Sequence, residues 1–229
     1  MGVVNLQREA AQYIADRVSR LALEVGLTPG EPGCQPDVVI IFTTDASHVA
    51  ATMVKEEPRL FRPGMGHSGM IIGLKALDEF VESDKAVRWW HVSMPVDART
   101  GQRAIRLAGD DGPPVVNVAG PSRIHSGTRD DLQLAMIVVD PTKLTGTTWQ
   151  QLGDYLAVVA LAQVDPKADL SSFDSILNLF SNPLAYSGLT DWDVSYMRAL
   201  YAFDQERIPR MQAGDLTSWM LRQERDRDE

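Results

Sequence analysis

The stretch Leu156-Ala-Val-Val-Ala-Leu-Ala162 is apolar on every side of a helix. A surface helix keeps a polar stripe toward water, so a helix without one is buried all round. Thr147 and Gln150 stand at capping-box spacing just ahead of it, which predicts a helix over about 149–163, ended by Pro166. The apolar run is far too short for the roughly 20 residues of a membrane span, and no other stretch approaches that length. A chain of 229 residues is long enough to bury a large core around such a helix.

The other periodicities supply what encloses it. Leu6, Ala10, Tyr13, Ile14, Val18, Leu21 and Val25 recur at three- and four-residue steps and predict a first helix that Gly26 stops. Asp37 to Thr43 is a β-branched run of strand length and reads as a central strand. Asp45-Ala46-Ser47 can cap a helix over 48–56, and a short helix is expected over 74–82. Val87 to Pro95 reads as an aromatic strand, and Leu132 to Val139 as a strong apolar one closed by Pro141. Short strands are expected at 104–107, 115–118 and 123–125.

After residue 140 the pattern is helical only. Ser171 with Asp174 suggests a cap for one short helix, Thr190 with Asp193 a cap for the next, and a last helix is expected from about Gln212. Strands first and helices afterwards argue for α+β rather than alternating α/β. The expectation is one domain over 1–229, with a mixed, mostly antiparallel sheet, flanking helices and a helical C-terminal third. An α/β part would span 1–130, and the core strand with the helices 131–229.

Charge and composition remove several function classes. Lys plus Arg number 22 against 31 Asp plus Glu, a net charge of −9. Nucleic-acid binding needs a basic face, and no basic run interleaved with aromatics is present. The opening residues lack the basic and long apolar regions of a signal peptide. The single cysteine, Cys34, lies in a Pro- and Gly-rich loop, has no base nearby in sequence, and reads as an ordinary loop thiol.

Nucleotide and hydrolase motifs are missing. There is no phosphate loop and no Gly-rich dinucleotide turn after a strand. Gly64-Met-Gly-His-Ser-Gly69 is followed by Met70-Ile-Ile72, which looks like a strand, so the segment reads as a loop rather than a phosphate cradle. Ser122 and Ser126 lack the nucleophile-elbow spacing. The four histidines, His48, His67, His91 and His125, never pair within five residues, so no local zinc motif exists. His125 is the histidine best placed to matter, next to the core strand. Asp154 and Tyr155 precede the apolar run of the buried helix. Asp154 is either a partly solvated second-turn carboxylate favoured by the helix dipole or a groove residue with a raised pKa.

The C-terminal half carries a resemblance. Gly153-Asp-Tyr-Leu-Ala-Val-Val-Ala-Leu-Ala-Gln-Val-Asp165 is followed by Ser175-Ile-Leu-Asn178. Then comes Leu189-Thr-Asp-Trp-Asp-Val-Ser-Tyr-Met-Arg-Ala-Leu-Tyr201. This order is similar to the bacterial exported proteins grouped as domain of unknown function 2927, whose helix resembles the active-site helix of zincin metallopeptidases. The likeness covers about 131–210, with an echo at 36–44. It implies a zincin-like plan and an exported protein. It does not carry over the metal site: Gly153 and Asp154 stand where a histidine and a glutamate base would, and alanines and valines hold the later ligand positions. Zincin hydrolysis needs a metal-activated water and a carboxylate base.

The function expected is therefore a non-catalytic zincin-like module with no metal and no cofactor, binding a peptide or protein. The alternative is a metallopeptidase-like hydrolase with a rearranged site, using His125 or His91 with Asp154. A third option is a self-associating protein with Trp89, Trp90 and Trp192 as exposed anchors.

Overall fold

The computed structural model describes residues 1–61, 70–105, 115–116, 127–202, 214 and 217–222. Its strands are β1 (Gly2–Val4), β2 (Val38–Phe42), β3 (Val87–Asp97) and β4 (Thr128–Val139). Its helices are α1 (Arg8–Glu24), α2 (Ala46–Glu56), α3 (Met70–Glu82), α4 (Trp149–Leu161) and α5 (Asp191–Ala202), with single 3-10 turns at Pro141–Lys143 and Ile176–Asn178. Residues 217–222 are also helical.

The strands form one mixed sheet in the order β1-β2-β4-β3. β1 pairs parallel with β2, and β2 pairs parallel with β4. The long β3–β4 ladder is antiparallel and contributes more residue pairs than the two parallel ladders together. The α+β class and the flanking helices thus stand as expected.

Strand alternation sends neighbouring side chains to opposite faces. Ile40, Val87, Trp89, Ile137 and Val139 meet α1, α4 and α5 on one face. Trp90, Val92, Met136 and Val138 meet Ala46, Ala50, Phe61 and Phe80 on the other. The sheet is thus sandwiched, and α4 lies within the larger of the two cores. Ten of its thirteen residues, Gln151 to Ala160, are buried.

Local signals fix the element ends. Gly26 adopts φ 83°, and its amide and that of Leu27 turn back to Leu23 and Ala22, closing α1. The Asp45 carboxylate accepts the His48 amide at 3.3 Å and starts α2. At α5, the Thr190 hydroxyl accepts the Asp193 amide at 3.1 Å, while the Asp193 carboxylate accepts the Thr190 amide at 2.9 Å. Asp193 also accepts the Ser175 hydroxyl at 2.6 Å and the Ile176 amide at 2.9 Å, tying the 3-10 turn to α5.

Several expectations need correction. Met70-Ile71-Ile72 opens α3 and is not a strand; a three-residue apolar run has no period of its own, and the helical continuation decides it. The capping box of α4 is Thr148 with Gln151, one residue later than expected. The Thr147 amide closes the preceding turn on Leu144, so the cap passes to Thr148. Ser171 hydrogen-bonds Asp169 instead of capping a helix; Ser175 starts the 3-10 turn. β1 was not expected, because three residues are too few to show alternation. Of the short strands, 104–107 and 115–118 are represented by a bridge between Ile105 and Val115. Residues 123–125 and Gln212 lie outside the described residues.

Trp89 and Trp90 are core residues, 5% and 6% exposed, and not surface anchors. Their indole N–H groups donate to the carbonyls of Val164 and Leu60. Trp192 stacks on Tyr196 at 5.2 Å between ring centroids.

Because Asp193 is buried and satisfies donors from two separate segments, Ser175–Ile176 and Thr190, Asp193→Ala should lower the unfolding free energy by about 3 kcal/mol. Urea unfolding checks this, with Asp193→Asn losing less.

Candidate functional site

The N-terminal half of α4 is held by polar groups that are already committed. Asp154 is 1% exposed. Its Oδ1 accepts from Arg17 of α1, through Nε at 2.7 Å and also through Nη2. Its Oδ2 accepts the Leu189 amide at 3.1 Å. Two glycines make room for this pair. A Cβ at Gly153 would stand 3.0 Å from the Arg17 Cγ, and one at Gly188 only 2.6 Å from the Asp154 Oδ2. Asp154 is therefore neither partly solvated nor a groove carboxylate. It anchors α4 to α1 and to the loop before α5.

Tyr155, the next residue, is buried edge-on between Trp89, at 6.4 Å, and Phe180, at 4.9 Å. Burial pushes its phenol well above the usual range. It is a core aromatic, 5% exposed.

His91 lies on β3 beneath the C-terminal half of α4. Its Nε2 is 2.8 Å from the Val159 carbonyl, so the proton sits on that nitrogen. Desolvation lowers its pKa to about 4, which keeps the ring neutral near pH 7. The Val159 carbonyl belongs to the last turn of α4, where carbonyls lack helical partners. The Tyr201 hydroxyl serves the same purpose, donating to the Leu161 carbonyl at 2.5 Å. His91 and Asp154 thus hydrogen-bond different partners and form no acid–base couple. His125, His67, Ser122 and Ser126 lie outside the described residues. Among the described residues, no three His, Cys, Asp or Glu side chains are grouped to hold a metal ion. Cys34 is exposed and forms no disulfide.

A space that could receive a ligand lies elsewhere among the described residues. A trough of about 860 Å³ lies on the α4 face of the sheet, at the N-terminal end of β2 and β4. One wall is the polar start of β4, Thr128 to Gln133. Opposite stand the loop residues Leu27 to Gly30, with Cys34 and Gln35. Val18 and Ala22 of α1, Ala160 and Leu161 of α4, and Leu200 of α5 supply apolar surface. Tyr196 and Tyr201 add two aromatic rings, and among the described residues Asp37, Asp130 and Asp131 add carboxylates, with Met1 and Arg129 also in the lining. Arg129 Nε is 2.8 Å from the Asp131 Oδ1 and its Nη1 3.2 Å from the Ala98 carbonyl, so that cation is engaged within β4 and its hairpin. The volume falls within the range of small-molecule and peptide pockets.

Sequence reasoning missed this trough. The usable signal was Thr128-Arg-Asp-Asp131, a polar start to a strand whose remainder is apolar. A strand that changes character along its length passes from a covered part to an open one.

Two outcomes test this geometry. Removing either partner of the buried pair leaves an uncompensated charge, so Asp154→Ala or Arg17→Ala should cost about 3–5 kcal/mol in chemical unfolding. For His91, the folded pKa near 4 lies below the ordinary 6.5, so the unfolded chain binds the proton more readily. The contribution of this residue to stability is therefore full above about pH 6.5 and is lost as pH falls toward 4. His91→Gln should flatten the stability slope in that window, read from urea midpoints at closely spaced pH values. No protein family, no curated protein and no solved structure matches this chain.

Proposed function

We propose that this protein is a non-catalytic binding module of zincin-like plan, similar to domain of unknown function 2927, that takes a peptide or protein segment in the trough beside β4. The observation that carries this reading is the commitment of Asp154 to Arg17 and the Leu189 amide. A general base must be free to accept a proton from an activated water. A carboxylate buried against a guanidinium and an amide is already fully engaged.

The residues here do not fit a catalytic zinc. Three protein ligands and an open position are needed. The helix offers Gly153, Asp154 and aliphatic side chains at the positions where the resemblance would place ligands and base. The nearest described histidine, His91, spends its Nε2 on a helix carbonyl. A rearranged hydrolase built on His91 and Asp154 draws no support from these bonds. The trough supports a binding role through its combination of apolar floor, aromatic rings and acidic rim. Export, which the resemblance implies, belongs to the same proposal.

The test is metal content and peptidase activity of the full chain after dialysis against zinc and then buffer. The expected result is no stoichiometric zinc, no change in unfolding midpoint with a chelator, and no cleavage of unfolded protein substrates. One tightly held zinc per chain, or cleavage that a chelator abolishes, would overturn the reading.

A further inference from the structure

β2 and β4 lie side by side and parallel, and they end together at Phe42 and Val139. The chain leaves them in opposite directions. After β2 it enters α2, which packs on one face of the sheet through Ala46 and Ala50. After β4 it runs through the 3-10 turn to α4, on the other face. Adjacent parallel strands whose connections part in this way open a crevice at their carboxyl ends, and such a crevice is where sheets of this kind receive ligands. It lies at the opposite end of these strands from the trough.

Two features of this end suit an oxyanion. The first is the start of α2, whose opening amides have no partner within the helix. The Asp45 carboxylate accepts the His48 amide at 3.3 Å, a long bond from an exposed side chain. Ser47 and His48 are exposed as well. The second feature is Arg88, which β3 brings to the same end by pairing with Val138. Arg88 is 2% exposed. Its Nη1 donates to the Ser47 Oγ at 3.2 Å and to the Phe80 and Val81 carbonyls at 3.3 and 3.0 Å. Its Nε has no hydrogen-bond partner.

Among the described residues, no carboxylate stands at ion-pair distance from this guanidinium. Asp140, Asp84 and Glu79 act on it from farther away, but each has a lysine of its own. Lys143 meets Asp84 and Asp140, and Lys85 and Lys167 meet Glu79. A buried cation without a matching anion is costly. Arg88 also sets the direction of the Ser47 hydroxyl. A hydroxyl oxygen that accepts from Arg88 turns its own proton elsewhere, and among the described residues nothing accepts it.

We propose that a phosphoryl group binds at the first turn of α2, accepting from the Ser47 amide and hydroxyl and taking the His48 amide over from Asp45, with the charge of Arg88 behind Ser47. The site is separate from the trough and does not depend on the non-catalytic reading. A dianion with several acceptor oxygens gains from the helix N-terminus and from the guanidinium together. Asp45 carries the same sign of charge, so it is the group that the ligand displaces and that weakens its binding.

The experiment titrates the full chain with sodium salts of inorganic phosphate, glycerol phosphate, acetate and chloride at equal ionic strength. Amide chemical shifts read the site, and the titration midpoints read affinity. Inorganic phosphate and glycerol phosphate should both move the Ser47 and His48 amides saturably, and the tighter of the two identifies free ion or ester as the source of the group. Ser47→Ala should weaken phosphate binding at least about tenfold. Arg88→Lys should weaken it about threefold or more, because a point charge replaces the fixed fork. Asp45→Asn keeps a cap and removes the like charge, so it should tighten binding about threefold or more. Urea midpoints check that each variant is folded; should Arg88→Lys not fold, Ser47→Ala and Asp45→Asn decide alone. The same shifts with chloride would show general screening and overturn the proposal. Acetate bound as tightly as phosphate would mark a carboxylate site and overturn the phosphoryl assignment. Unchanged affinity in Ser47→Ala, or no tightening in Asp45→Asn, would place the ion elsewhere and overturn it too.

Discussion

The ion pair between Arg17 and Asp154 is the constraint around which the larger core is arranged. A carboxylate placed in the second turn of an otherwise apolar helix is costly to bury unless it is matched. α1 supplies the match, and the loop before α5 adds an amide to the second oxygen. Three segments far apart in sequence are thereby fixed at one point. The close approach is possible because Gly153 and Gly188 have no side chain there, and a methyl group at either would press on the pair itself. Gly153 thus has a structural purpose of its own.

Polar groups at both ends of α4 bond to neighbouring segments. Its capping box is reinforced by Gln151, whose Nε2 donates to the Pro183 carbonyl at 2.8 Å and also to the Tyr186 carbonyl. Its last turn receives donors from His91 and Tyr201. Sheet, α1 and α5 therefore meet on this one helix, and few of its polar groups are left for chemistry. The trough lies beyond its C-terminal end, lined there by Ala160 and Leu161 and by Thr128 to Gln133 of β4.

Much of the architecture is legible in the residues. The all-round apolar character of 156–162 implies burial, and α4 is enclosed on every side. The β-branched run at 38–42 implies an interior strand, and β2 lies between β1 and β4. Thr190 with Asp193 implies a capping box, and both halves of it form. What was not legible depends on distance in space. The partner of Asp154 is 137 positions away, and nothing local distinguishes Arg17 from the other polar residues of the outer face of α1. Trp89 and Trp90 are adjacent and read as one aromatic feature, yet alternation sends them into two different cores. The trough escaped because it is defined by a difference in length between β2 and β4, which only the pairing reveals.

The account stands on the claim that Asp154 is committed to Arg17 as structure and not available as chemistry. A double-mutant cycle between Arg17→Met and Asp154→Leu measures that commitment directly. The account predicts that the double variant regains much of the stability lost by either single one, with a coupling energy of about 2 kcal/mol or more. Losses that simply add would show two side chains indifferent to each other, and Asp154 would be open to another role.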